Sequence, residues 1–101
     1  MAAPKVEFYS TDVPTATTRV QIVNNHRKVL QVWVKGAEGN AGNVYFGDSS
    51  VSATVGGFSM PNVVDGKWNH FDFTKSPPLQ SFFYVDAATS GDNVETVFLL
   101  E

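Results

Sequence analysis

Ser49 is the side chain in this sequence best placed for covalent chemistry. It stands in Gly47-Asp48-Ser49-Ser50, directly after a short apolar run (Val44, Tyr45, Phe46), and a second small-residue run at 51–55 closes on Gly56-Gly57. A serine hydroxyl presented on such a turn can attack an ester, but it is a weak nucleophile until a base within hydrogen-bond reach removes its proton. The only imidazole bases in the chain are His26 and His70. A second reading needs no base. Asp48, between a strand and a serine-rich segment, can accept backbone N–H bonds in an Asx-type turn and simply build a corner.

Gly47-Asp48-Ser49 resembles the nucleophile block of the Gly-Asp-Ser hydrolases. That family places an Asp three residues before its His near the C-terminus, and here Lys67 holds that place before His70. Those hydrolases are also α/β folds of about twice a small domain's length, whereas this chain shows no βαβ alternation. The expectation is a corner, no catalytic residue and no enzyme. His70 and Asp72 lie two apart, on one face of an expected strand with Trp68. A catalytic zinc needs three protein ligands, so this is half a site and no metal is expected. His26, in Asn24-Asn25-His26-Arg27, reads as a turn residue. Trp33, Trp68 and Tyr84 are candidates for a sugar-binding platform, with Trp68 the candidate surface aromatic; the alternative is that they fill the core. No phosphate loop, EF-hand loop or dinucleotide fingerprint is present, and no cofactor is expected.

The elements that must position these residues are short strands. Residues 17–23 (TTRVQIV) alternate with period two, as do 28–35 (KVLQVWVK), and Asn24-Asn25 supplies turn chemistry between them. An antiparallel hairpin is expected there, with Leu30, Val32 and Val34 on one face and Val29, Gln31 and Trp33 on the other. Residues 36–42 hold three glycines and read as a loop. Strands are expected at 43–47, at 51–55 as an edge, at 68–74 with Phe71 and Phe73 opposite Trp68, His70 and Asp72, at 79–86 as a central strand, and at 94–101. Pro61 and Asp65-Gly66 punctuate one connection, and Gly91-Asp92 another. No window shows helical spacing with caps. The fold class is therefore all-β: a single small antiparallel β-sandwich or barrel over residues 17–101, preceded by an extended, only partly self-packed N-terminal arm, residues 1–16, in which Pro4 and Pro14 fix φ and remove two donors. Within the arm Val6, Phe8 and Tyr9 form a short apolar patch.

At 101 residues the chain forms one domain, and its aromatic content of 13% can dominate a thin core. A net charge of −3, without any Lys/Arg stripe, excludes a nucleic-acid footprint. The absence of cysteine excludes disulfides and thiolate metal sites. No apolar run approaches the roughly 20 residues of a membrane span, and the start of the chain lacks the apolar core of a secretory signal. A soluble protein is expected, with no membrane partner.

Residues 43–52 (NVYFGDSSVS) resemble a segment common in small structural proteins of tailed bacteriophages, where a V-Y-x-G-D-S-x-V-S strand and corner lead through a polar connection to a strand of alternating aromatics. Residues 67–74, Phe83-Tyr84-Val85 and Gly91-Asp92-Asn93-Val94 occupy the remaining places of that pattern. The resemblance covers residues 43–101. It departs at 55–66, where the connection is longer, and the N-terminal arm has no counterpart. It implies a phage virion protein; together with the all-β pattern, the lack of a catalytic set and the proline-bearing arm, the expectation is a capsid cement (decoration) protein, made in the host cytoplasm and located on the capsid surface. That expectation includes the major capsid protein as partner and a homo-oligomer, trimer or dimer. The expected mechanism is addition of the arm, through Val6, Phe8 and Tyr9, to a sheet edge of the capsid protein. A neck or tail component, or a carbohydrate-binding adhesin of the virion, is the alternative.

Overall fold

Period-two alternation sends one row of side chains from each strand into a shared interior, and two antiparallel sheets result. The structure is a computed structural model that describes residues 4–52, 58–60 and 68–101. Its strands are β1 (Lys5–Asp12), β2 (Val20–Gln21), β3 (Val29–Gly36), β4 (Val44–Gly47), β5 (Phe58–Met60), β6 (Asn69–Asp72), β7 (Tyr84–Ala87) and β8 (Asn93–Leu100). A 3₁₀ turn, Gln80–Phe82, precedes β7, and no α-helix occurs among the described residues. Sheet I has the order β1-β8-β3-β6 and sheet II the order β2-β7-β4-β5. The chain is an all-β sandwich.

The interior is built from β-branched side chains and phenylalanines. Val29, Val32, Val34, Val94, Phe98 and Leu100 of sheet I face Val44, Phe46, Val85 and Ala87 of sheet II, with Phe83 beside them. Phe46 stacks on Phe83 at 5.1 Å and meets Phe71 of the opposite sheet at 5.5 Å. Phe83 in turn lies 5.8 Å from Phe98. Such ring pairs add roughly 0.5–1.5 kcal/mol each beyond the area they bury, so this aromatic seam reinforces the contact between the sheets that burial of the valines already makes.

Four expectations are corrected. Residues 5–12 are not a free arm: β1 pairs with β8 along its whole length, from Lys5 opposite Leu100 to Asp12 opposite Asn93. The alternating Val6-Glu7-Phe8-Tyr9 pattern fits a pleated edge, and Pro4 and Pro14 bracket the strand rather than disrupt it. The hairpin over 17–35 does not form. Only Val20–Gln21 is strand, and it pairs with β7 in sheet II, whereas β3 belongs to sheet I. Within β3, a register shift between Val29 and Gln31 makes Leu30 the extra residue, so Val29 and Val32 both face the core. Finally, the stretch at 79–86 is a central strand only from Tyr84, because Gln80–Phe82 close a 3₁₀ turn. The faces expected for 68–74 are as observed: Phe71 and Phe73 pack on the core, and Trp68, His70 and Asp72 are exposed. Of the edge strand expected at 51–55, Val51 is buried outside any strand, and 53–55 lie outside the described residues, as do Pro61 and Asp65-Gly66.

The two glycine-rich loops lock together. Asp92 accepts the Ala41 and Gly42 N–H groups at 3.0 and 2.9 Å, one on each carboxylate oxygen. The Asn40 side chain donates to Asn93 O at 2.8 Å and accepts the Asn93 N–H at 2.9 Å, imitating a strand partner. Gly91, at φ 87°, makes the turn that aims Asp92 inward.

Candidate functional site

The outer face of sheet I carries three of the exposed large apolar side chains, Val6, Phe8 and Trp68. Strand register sets its rows. Phe8 lies opposite Val97, Val97 opposite Trp33, and Trp33 opposite His70. The adjacent row runs from Val6 to Leu99 to Gln31 to Asp72. Val6 is 65% and Phe8 58% exposed, and Trp68 is exposed at the far edge. The charges on this face are largely paired: Lys35 lies 3.5 Å from Glu95, and its ammonium sits 4.8 Å from the centre of the Trp68 ring. His70 stacks on Trp33 at 4.9 Å, with Nε2 2.9 Å from Gln31 Oε1. Asp72 accepts the Thr74 N–H and hydroxyl at 2.9 and 2.7 Å, which holds its carboxyl below the usual range.

Tyr9 points the other way. Its ring meets Phe98 edge-on at 5.8 Å, and its hydroxyl donates to Glu7 Oε1 at 2.6 Å. Val6 and Phe8 are therefore surface residues, whereas Tyr9 is a packing residue and is removed from the set of expected arm anchors. Glu7 also accepts the side-chain amide of buried Gln80 at 2.9 Å and pairs with Lys5 at 2.9 Å. The hydrogen bonds from Gln80, Tyr9 and Lys5, in that order, lower its pKa from 4.5 to about 2. Burial, and then the Glu7 carboxylate, raise that of Tyr9. This cluster ties edge strand β1 to the turn preceding β7 and so fixes how Val6 and Phe8 are presented.

The Gly-Asp-Ser corner is an Asx-type turn. Asp48 Oδ1 accepts the Ser50 N–H at 2.9 Å and the Ser50 hydroxyl at 2.5 Å, and Val51 N–H closes on Asp48 O at 3.0 Å. The Ser50 hydroxyl is the main cause of the lowered Asp48 pKa. Ser49 is exposed beside Thr17, Thr18, Arg19 and Tyr84 at sheet II. His70 belongs to the outer face of sheet I, and His26 to the connection between β2 and β3. Tyr84, in sheet II, is thus separated from Trp33 and Trp68, and the three aromatics do not form one platform. No group of three metal-ligating side chains occurs among the described residues. The outer apolar face was missed at the sequence level because Val97 and Leu99 alternate with core residues; only the register aligns them with Phe8 and Trp33. Compared with models of known protein families and with curated proteins, the chain matches none.

Proposed function

We propose that this chain is a structural protein of a tailed-bacteriophage virion, a capsid cement protein that binds the outside of the head and stabilises it noncovalently, without catalysis. The observation that carries this reading is the apolar outer face of sheet I, in which Val6, Phe8, Val97, Leu99 and Trp33 stand in adjacent rows. Contiguous apolar surface of this kind marks a macromolecular interface. The phage-like pattern over residues 43–101 supports the class, and its two Gly-Asp corners serve the scaffold: Asp48 builds one turn and Asp92 locks another. The partner is the major capsid protein. The contact is made by this face and not by a free arm, since residues 5–12 are already paired. Many copies on a symmetric lattice turn individually weak contacts into lasting reinforcement through effective concentration.

Purified protein mixed with heads lacking it should sediment with them and raise their melting temperature. Leu99→Asp, which puts a charge in the middle of the face, should abolish both effects while the strand spectrum is unchanged. Heads that bind the variant as well as the parent would refute the reading. Ester hydrolysis that disappears on Ser49→Ala would refute the non-enzymatic part. Exposed Trp68, with Lys35 over its ring, favours one second reading, a glycan-binding adhesin of the neck or tail. Glycan-array binding lost on Trp68→Ala would select it.

A further inference from the structure

Among the described residues, β1 is a long open edge. It lies outermost in sheet I, spans eight residues without a bulge, and has no proline inside it. The other outermost strands are β6 with four residues, β5 with three and β2 with two. Natural sheets blunt long flat edges with bulges, prolines or inward charges, because unpaired main-chain groups template pairing with another strand. Between Val6 and Ser10 this edge carries neither a bulge nor a proline, and its one inward charge, Glu7, is already held by Lys5, Tyr9 and Gln80 of the same chain.

The direction of its free groups follows from Val13. That residue donates its N–H to Asp92 O at 2.9 Å and accepts the Gly91 N–H at 2.8 Å. Main-chain groups alternate in direction along an antiparallel strand. Thr11, Tyr9 and Glu7 therefore bond toward β8, and Val6, Phe8, Ser10 and Asp12 point their N–H and C=O groups outward.

We propose that a second copy of this chain occupies the edge, with two β1 strands pairing antiparallel about a two-fold axis at Phe8. Four centres oppose the outward groups of the two copies over at least about five residues of each β1: Glu7, Phe8, Tyr9 and Ser10. Centring on Glu7 sets two carboxylates face to face, centring on Tyr9 sets Val6 against Asp12, and centring on Ser10 sets Phe8 against Asp12. Centring on Phe8 sets Phe8 against Phe8, Val6 against Ser10, Glu7 against Tyr9 and Lys5 against Thr11. No like charges are opposed, and the paired stretch, residues 5–11 of each copy, is as long as that about Tyr9 and longer than that about Glu7 or Ser10. The result is a continuous eight-stranded sheet. The row Trp33–Val97–Phe8 of one copy runs into the same row of the other, so the two exposed Phe8 rings cover one another. The dimer rests on main-chain geometry and not on the virion reading, so the two ideas fail separately.

Light scattering of the purified chain should report twice 11.0 kDa. Ser10→Pro removes an outward N–H from each copy without touching the bonds to β8, and proline is tolerated at a sheet edge. It should raise the dimer dissociation constant at least about tenfold while thermal unfolding of the monomer is unchanged. The chain has no cysteine, so single cysteines report the register. Under mild oxidation Phe8→Cys should cross-link to itself, whereas Val6→Cys should cross-link only when mixed with Ser10→Cys. A protein that stays at 11.0 kDa at all concentrations overturns the proposal and leaves the edge to a strand of a different protein. Dimers unaffected by Ser10→Pro, or self-cross-linking of Val6→Cys as fast as that of Phe8→Cys, overturn it as well.

Discussion

Replacing Glu7 with Gln isolates the charge that anchors the edge strand. The variant keeps the side-chain shape and an oxygen that can accept from Tyr9 and Gln80, so what it removes is the ionic part of three contacts at 2.6, 2.9 and 2.9 Å. Those contacts lower the Glu7 pKa from 4.5 to about 2. A carboxyl whose pKa is lower folded than unfolded holds fewer protons in the native state. Its contribution is therefore whole above pH 4.5 and is lost as the pH falls toward 2. Taken whole, that interval corresponds to about 3 kcal/mol. The Lys5 side chain is 55% exposed, and solvent screens its share, so about 1–2 kcal/mol is the expected loss. In a domain of this size that lowers Tm by roughly 5–12 °C. The assay is thermal and urea unfolding of both proteins, followed by near-UV circular dichroism, at pH 7 and at about pH 2. The parent should exceed the variant at pH 7, and the two should converge at the acid end, where a protonated Glu7 offers nearly the same partners as Gln. A gap of equal size at both pH values would show that the loss is steric, and no gap at pH 7 would show that the cluster does not hold β1. Either result would refute the reasoning.

Asp92→Ala should cost about 2–4 kcal/mol in denaturant unfolding, because the N–H groups of Ala41 and Gly42 lose both carboxylate acceptors. Gly42→Ala should destabilise as well, since an added Cβ would come within 2.6 Å of Thr89 Oγ1. Combining it with Thr89→Ala should recover most of the loss in a double-mutant cycle. Phe46→Ala should cost about 3–5 kcal/mol, enough to leave the domain marginal, because Phe46 is fully buried against Phe71 and Phe83 at the seam between the sheets. Hydrogen exchange should then accelerate in both sheets together.

The local features of the fold were legible wherever a residue's own neighbours in sequence decide its conformation. Phe71 and Phe73 alternate with His70 and Asp72, and the burial of that strand follows the alternation. Asp48 next to two serines is enough to forecast its Asx turn, which forms at 2.9 and 2.5 Å. The errors came where the choice of partner matters. The alternation in residues 17–23 is real, but it says nothing of which strand lies alongside; Val20 and Gln21 pair with Val85 and Tyr84, more than sixty positions away. The β-like run in β1 was visible, yet with its proline brackets it read as an extended arm because its partner, β8, lies at the opposite end of the chain.

From the sequence alone came the all-β class, the inward and outward rows of residues 68–74, and the Asx corner at Asp48. These depend on pleat, on turn chemistry and on the residue types available, all of which act over a few positions. Tertiary structure alone decided the strand order, the β3 bulge that turns Val29 inward, and the placing of Tyr9 against Phe98. It also aligned Phe8, Val97 and Trp33 on one outer face. The physical reason is that a strand satisfies only half of its main-chain groups at a time, toward a neighbour that may come from any part of the chain. Which neighbour wins is set by the shared interior, through burial summed over both sheets, and no short stretch carries that sum.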